Sequence, residues 1–283
     1  MEDYKVTSSI ALKKTKTKVV IEDAKKELKA VRKKLGDLQN TMYAHDKYSV
    51  LVCLQGMDTS GKDSLVREVF KDFNVRGVEV HSFKVPTEKE LSHDYLWRHY
   101  IALPERGKFG VFNRTHYENV LVTRVHPEYI LGENIPTVNS VDDINDAFWD
   151  KRFEQINNFE KHLSENGTII FKFFLNLSKN EQKERLLRRL EKHEKNWKFS
   201  PDDMKERELW ERYQECYQDA INRTSTSYAP WHIIPADDKA TARYLVAKVL
   251  FNTLKTYKDI KEPELNDAVK AHLIQYKQKL RKE

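Results

Sequence analysis

Nine consecutive residues, Gln55-Gly56-Met57-Asp58-Thr59-Ser60-Gly61-Lys62-Asp63, narrow the folds open to this chain more than any other stretch. The run before them, Val50-Leu51-Val52-Cys53-Leu54, is short, apolar and partly β-branched, which predicts a buried parallel strand. After them Leu65, Val66, Val69, Phe70 and Phe73 recur at helical spacing. A glycine-bearing loop between a buried strand and an amphipathic helix is the context that the G-x-x-x-x-G-K phosphate loop requires. Gly56 and Gly61 let the backbone fold back, so that the N–H groups of the loop, Met57, Thr59 and Ser60 among them, point inward. The helix N-terminus adds a partial positive charge and Lys62 a full one. The residue after the lysine is normally Ser or Thr, whose hydroxyl helps to hold magnesium; here it is Asp63. Asp58 adds a second carboxylate inside the loop. Two carboxylates in a phosphate cradle repel the ligand unless a divalent cation lies between, so Asp58 reads as a metal-holding or proton-handling group. Asp63 reads equally as such a group and as a cap of the following helix.

Bulk properties limit what surrounds this loop. The chain has 283 residues, 39% hydrophobic and 33% charged, with a formal net charge of +6. That length suits one large α/β domain over residues 1–283, and only 8 Gly and 8 Pro argue against long flexible linkers. Residues 1–20 are polar, with Lys13, Lys14, Lys16 and Lys18 close together, and predict a loosely held arm. A basic balance suits an anionic partner, and the phosphate loop points to a polyphosphorylated ligand rather than nucleic acid or a membrane surface. Two cysteines, Cys53 and Cys216, make no disulfide framework, and no apolar run is long enough to cross a bilayer; both fit a cytoplasmic protein.

The rest of the chain alternates strands with helices. Residues 22–44 predict a helix with Ala24, Leu28, Val31, Leu35, Leu38 and Met42 on one face. Val78–Phe83 alternates as a strand does, and Thr87 with Glu90 makes a capping box for a short helix. Lys84 and Arg98 fall just past that strand's C-terminal end, the edge of an open parallel sheet where ligands bind, and are candidate substrate contacts. Phe109–Phe112 predicts a third strand running into Asn113-Arg114-Thr115-His116-Tyr117-Glu118-Asn119 and a further helix. A polar cluster at a strand end opposite a phosphate loop commonly supplies a second metal contact and a phosphate clamp. Glu118 is the nearest carboxylate for the metal. Arg114 and Arg124 are candidate clamps, since guanidinium grips phosphate oxygens two at a time, although Arg124 reads equally as a salt-bridge former. Residues 127–147 predict a loop, 142–164 a long helix and Thr168–Leu175 a strong strand; Trp231–Pro235 predicts the last strand, with helices after it and at 263–281. About five strands alternating with helices imply a parallel sheet with helices on both faces, a P-loop NTPase-like α/β fold.

Residues 178–215 are the stretch most unusual in composition. Ser178 and Glu181 predict a capping box opening a helix in which Arg185, Arg188, Arg189 and Lys192 share one face. A solvated charged face is the ordinary reading of such a run. In the second half of a phosphate-loop chain it also matches a helical lid that brings arginines onto a transferring phosphoryl group and excludes water.

Several motifs taken together resemble the polyphosphate kinase 2 family. They are Gly56–Asp63, Ser82-Phe83-Lys84, Asp94-Tyr95-Leu96-Trp97-Arg98, Phe112–Glu118, Lys195-Asn196-Trp197-Lys198-Phe199-Ser200, and Ala229-Pro230-Trp231 through Ile234–Lys239. They run in the family's order over about residues 25–255. The resemblance implies reversible, magnesium-dependent (or manganese-dependent) transfer of the terminal phosphoryl group of inorganic polyphosphate to a nucleotide. It implies that Asp58 and Glu118 hold metal, that Lys62, Arg114, Arg188 and Arg189 clamp phosphates, and that Lys84, Lys192 and Lys198 track the polyphosphate. The run Asn113–His126, with His116, Tyr117 and Asn119 as further substrate contacts, resembles the subgroup that accepts both AMP and ADP. ATP and guanine nucleotides come with that reading, as does a homo-oligomer, dimer or tetramer.

Overall fold

The structure, a computed structural model, describes residues 4–191 and 200–283. Lys192 and Lys198 lie outside the described residues. In chain order the elements are α1 (Ala24–His45), β1 (Ser49–Gln55), α2 (Lys62–Val69), β2 (Val78–Ser82), α3 (Glu88–Leu91), α4 (Trp97–Tyr100), β3 (Phe109–Asn113) and α5 (Glu118–Val125). There follow α6 (Asp146–Glu165), β4 (Thr168–Asn176), α7 (Lys179–Glu191), α8 (Asp202–Glu208), α9 (Trp210–Thr224), β5 (Trp231–Pro235), α10 (Lys239–Leu254) and α11 (Asp267–Leu280). The five strands form one parallel sheet in the order β2-β3-β1-β4-β5. This is a P-loop kinase-like α/β fold.

Strand alternation builds two cores. Val50, Val52 and Leu54 of β1 face α1, α2 and α10 on one side; Leu51 and Cys53 face the opposite side, where α4, α6 and α9 lie. Every residue of β1, β3 and β5 is buried, which is why these segments read as continuous apolar runs. The capping box predicted at Thr87 and Glu90 forms in full. At α7 only half of the expected box forms. Ser178 Oγ accepts from the Glu181 N–H at 3.1 Å, but the Glu181 carboxylate turns to Arg185 (2.8 Å) and Arg188 (2.9 Å), and the Ser178 N–H donates to Asp237 instead.

Two expectations change. The N-terminal arm is held, not loose: Val6 N–H donates to the Trp231 carbonyl at 2.9 Å, Lys5 bridges His232 beside β5, and Val6 and Leu12 are buried. The arm covers the open edge of β5. The stretch 178–215, expected as a lid, is in part built into the body at its C-terminal end. Trp210 and Tyr213, at the start of α9, sit in the core with Tyr217 and Ile221, so the C-terminal end of that stretch belongs to the body.

Candidate active site

Connections from β1 run toward β2 and β3, whereas the chain after β3 crosses to β4 on the far side. A crevice opens at such a reversal, outside the carboxyl ends of the strands. The loop after β1 lies in it. Gly56 (φ 149°), Thr59 (φ 63°) and Gly61 (φ 104°) all take positive φ. Gly61 forms the left-handed N-cap of α2, and a Cβ on Gly56 would lie 2.9 Å from the Leu175 carbonyl oxygen. Neither site takes a side chain without strain.

Lys62 folds back over this loop. Its Nζ donates to the Gly56 carbonyl at 2.5 Å and lies 3.4 Å from the Met57 carbonyl oxygen. Burial pushes the Lys62 ammonium below the usual lysine range; Asp58, Glu118 and Asp63 work against that shift and Arg114 adds to it. These five charged groups therefore share one field. Arg114 Nη2 reaches Asp58 Oδ1 at 3.3 Å. Asn113 Nδ2 donates to Asp63 Oδ1 at 2.8 Å, and Gln55 Nε2 donates to Glu118 Oε1 at 3.0 Å. Burial pushes the Glu118 carboxyl up, opposed by Arg114, the Gln55 hydrogen bond and Lys62. Burial works against the Arg114 cation too, but Glu118 and Asp58 outweigh it and hold Arg114 above its ordinary value. Arg114 also has φ 58°, a left-handed conformation that costs a non-glycine residue about 1–2 kcal/mol. Strain of this kind at a charged crevice marks a position held for its side chain's direction.

The oxygen atoms near this cluster suit a small hard cation. Gln55 Oε1, Thr59 Oγ1 and Asn113 Oδ1 are buried with no hydrogen-bond partner among the described residues. Like the carboxylates of Asp58 and Glu118, they are oxygen donors of the kind magnesium takes. No group of three or more His, Cys, Asp or Glu placed to cage a metal occurs among the described residues. Magnesium needs no such cage, since it takes one or two carboxylates and fills its shell with water and substrate phosphates.

The remaining predicted residues divide. Burial lowers the Arg98 guanidinium against the opposing charges of Glu90 and Glu118, and Arg98 pairs with Glu90 at 3.2 Å over the Phe83 ring. Lys84 is exposed at the rim beyond β2. Asn119 Nδ2 donates to the His116 carbonyl at 3.0 Å, on the first turn of α5. Arg188 is held by Glu181, and Arg189 reaches Asp203 at 2.6 Å. Three residues face away from the crevice. His116 and Tyr117 are fully buried beneath the turn, and both engage Glu160, at 3.0 and 2.6 Å. Lys172 closes that network, donating to Glu160 Oε2 (2.6 Å), Tyr117 Oη (2.9 Å) and the Thr224 carbonyl (2.6 Å). Arg124 is claimed by Asp219 at 2.6 Å and stacks over Trp149 and Phe153. The family resemblance brought His116 and Tyr117 forward and its guanidinium Arg124; in the structure all three are engaged by distant partners around the β3–α5 turn.

Other residues join the site without having been expected there. Gln55 fixes Glu118, and a polar residue ending an otherwise apolar strand was the signal for it. Arg185 is buried and clamps the loop from behind, donating to the carbonyls of Thr59 and Ser60 (both 3.0 Å), Ala236 (2.7 Å) and Asp237 (3.0 Å). Gln182 Nε2 donates to the Asp58 carbonyl at 3.2 Å. Tyr217, which reads from its spacing as core, lies beside Glu118 and Asp58; burial and these carboxylates push its phenol well above the usual range. Asp203 is raised by burial and by Asp58, so α8 brings a further carboxylate near the loop.

Comparison with known proteins points one way. A model of the family described as Polyphosphate kinase 2 matches residues 18–262. An ADP-polyphosphate phosphotransferase of Rhodopseudomonas palustris is 45% identical over 249 residues, which is 88% of this chain and 85% of that protein. An AMP/ADP-polyphosphate phosphotransferase of Meiothermus ruber is 45% identical over 228 residues, covering 81% and 80%. The crystal structure of polyphosphate kinase 2 from Arthrobacter aurescens TC1 superposes with a TM-score of 0.87 at 35% identity, over 97% of this chain and 96% of that one. With its phosphate loop, its charged β3–α5 turn and its sheet order set beside these relatives, the chain belongs to the polyphosphate kinase 2 family.

Proposed function

We propose that this chain is a polyphosphate-dependent nucleotide kinase, moving the terminal phosphoryl group of inorganic polyphosphate to AMP and to ADP, reversibly and with magnesium. The observation that carries the reading is the shared field of Lys62, Asp58, Arg114, Glu118 and Asp63 around a wound phosphate loop, in a chain 45% identical to enzymes of both acceptor types. An acceptor phosphate oxygen attacks the terminal phosphorus; the bridging P–O bond to the next phosphate breaks and the electron pair leaves with a polyphosphate one unit shorter. A phosphate monoester is largely dianionic near neutral pH, so the attacking oxygen needs no general base. The carboxylates are therefore assigned to charge balance and metal holding, not to deprotonation. Lys62 and Arg114 stabilise charge on the transferring group, and the loop N–H groups fix the donor for in-line attack. Asp58 and Glu118 would hold magnesium, which supplies neutralisation of the phosphate oxygens when bound. We place the enzyme in the cytoplasm, where its two buried free cysteines stay reduced, and as a homo-oligomer.

The test is an acceptor assay with purified protein, magnesium, long-chain polyphosphate and AMP, ADP, GMP or GDP in separate reactions, read by nucleotide chromatography. ADP and ATP forming from AMP is the expected result. ATP from ADP alone would keep the donor and remove the dual acceptor. Turnover with ATP as the sole effective donor would overturn the proposal.

A further inference from the structure

The two edges of the sheet are finished differently. At β5 the N-terminal arm closes the edge: Val6 N–H donates to the Trp231 carbonyl, and Lys5 bridges His232 in the antiparallel sense. At β2 no segment does the same among the described residues. β2 pairs with β3 alone, from Val78 beside Phe109 to Ser82 beside Asn113. In a parallel ladder, alternate residues of a strand bond to one neighbour and the residues between them face the other side. Phe83 N–H donates to the Asn113 carbonyl at 3.1 Å, so Glu79, His81 and Phe83 are the residues turned to β3. The N–H and C=O groups of Val78, Val80 and Ser82 therefore point outward. A free edge of this kind is a template for a further strand, and folds commonly guard it with lysine or proline. The five residues of β2 include neither, and Val80 at their centre is 52% exposed.

The strand is complementary to itself. Val78-Glu79-Val80-His81-Ser82, laid antiparallel against a second copy with Val80 opposite Val80, sets Glu79 opposite His81 on both sides of the centre. This register pairs all five residues. Its centre falls on a residue whose backbone groups point outward, as a hydrogen-bonded pair requires. Centring the pair on either neighbour would set Glu79 against Glu79, or His81 against His81, and would turn inward-bonded groups to the partner. His81 lacks a partner within its own subunit. Its Nε2 is buried with no hydrogen bond among the described residues, and its own Glu79 stands 3.8 Å away, paired with Lys108 at 3.2 Å. Farther out, Arg76 would face Lys84, and like charges there confine the ladder to β2 itself.

We propose that the outer edge of β2 is a subunit interface, at which two copies of this chain pair antiparallel about Val80 and join their five-stranded sheets into one continuous sheet. The two-fold axis turns the carboxyl ends of the two sets of strands in opposite directions, so the two phosphate loops open on opposite sides of the joined sheet. The proposal rests on the homo-oligomer reading above and names its surface.

The test is disulfide crosslinking and mass, both on the full chain. Opposed residues of a hydrogen-bonded antiparallel pair have Cα atoms about 5.5 Å apart, within disulfide reach. Val80→Cys is expected to give a covalent dimer under mild oxidation, read on a non-reducing gel. Val75→Cys, also exposed but far from its own mate in this register, is the control and is expected to stay unlinked. Cys53 and Cys216 are buried and add no background. Without oxidant, Val80→Lys and Val80→Pro are each expected to halve the mass from light scattering and to keep a cooperative unfolding transition. Proline at position 80 removes an outward N–H and no bond to β3, which is where an edge strand accepts it. Linking of Val80→Cys no faster than Val75→Cys, or folded variants of wild-type mass, would overturn the pairing and leave the homo-oligomer reading standing. If both substitutions unfold the chain, the crosslink alone decides. A monomeric wild type would overturn both.

Discussion

Glu118, proposed above as a metal-holding carboxylate, is ionised only at the expense of the fold. Its carboxyl is raised by burial, so the folded chain holds its proton more tightly than the unfolded chain does. Stability contributed by the protonated form is complete below the ordinary carboxylate range and is lost as pH rises through the raised value. At neutral pH the ionised side chain therefore costs stability. Glu118→Gln is expected to raise Tm by about 1–3 °C while lowering kcat by about 10²-fold or more. Calorimetry and the acceptor assay on one preparation check both; a variant that loses stability and activity together would contradict the assignment. In wild type, activity should fall on the acid side at a pH above the ordinary glutamate range. Arg114 carries the opposite constraint. Its left-handed backbone aims a planar fork at Asp58 and the crevice, and lysine reproduces the charge without the fork. Arg114→Lys is expected to reduce kcat by about 10²–10³-fold with little change in Tm; near-wild-type turnover would remove Arg114 from the transfer step. That Asp58, Lys62, Arg114 and Glu118 come together was legible because each falls at a fixed offset from a strand end. The partners of His116, Tyr117 and Arg124 were not, since neither a motif nor local polarity says which side of a turn faces in. The partners that settle it lie 44, 43 and 95 residues away.

The β3–α5 turn is held by elements that never reach the crevice. Glu160 on α6 and Lys172 on β4 are fully buried and meet at 2.6 Å, with His116 and Tyr117 fastened to the same carboxylate. Burial pushes Glu160 up, but Lys172 and His116 outweigh it and hold the carboxyl below its usual range. The stability this contributes is present above the ordinary carboxylate range and is lost only as pH falls through the depressed value. Removing one partner strands the other charge, so Lys172→Met is expected to cost about 3–5 kcal/mol in urea unfolding and to lower kcat by loosening Arg114 and Glu118. A stable Lys172→Met protein with normal kcat would show that the turn holds itself. At this scale the periodicities of two and 3.6 recovered the strands and long helices. The shortfalls came where an element's use depends on a neighbour. Glu181 is drawn from its cap by two arginines one and two turns on, and the arm is fixed by an unpaired strand edge that its own residues do not announce.

For the molecule as a whole, strand order was not legible, because it depends on which crossovers pack and not on any one segment; the parallel sheet around the phosphate loop was. The C-terminal helix α11 is where the isolated chain leaves most unresolved by packing. Every residue from 261 to 283 is exposed, and none of α11 is buried against the body. A helix of 14 residues standing alone is marginal in water. Yet Val269, Leu273, Tyr276 and Leu280 repeat at spacings of four, three and four, the seam of a two-helix coiled coil. Glu262, Glu264 and Asp267 crowd its start, and Lys277, Lys279, Arg281 and Lys282 its end. Two copies running antiparallel would set acid against base along a shared apolar stripe, which is the symmetric contact a homo-oligomer needs. Ending the chain after Lys261 removes no core contact, since Ile260 is the last buried side chain. Tm is expected to stay within about 2 °C while the mass from light scattering falls to a smaller species. An unchanged mass would place the subunit contact elsewhere. A clear loss of Tm at unchanged mass would mean that α11 folds back onto its own subunit, and the antiparallel pairing would be wrong.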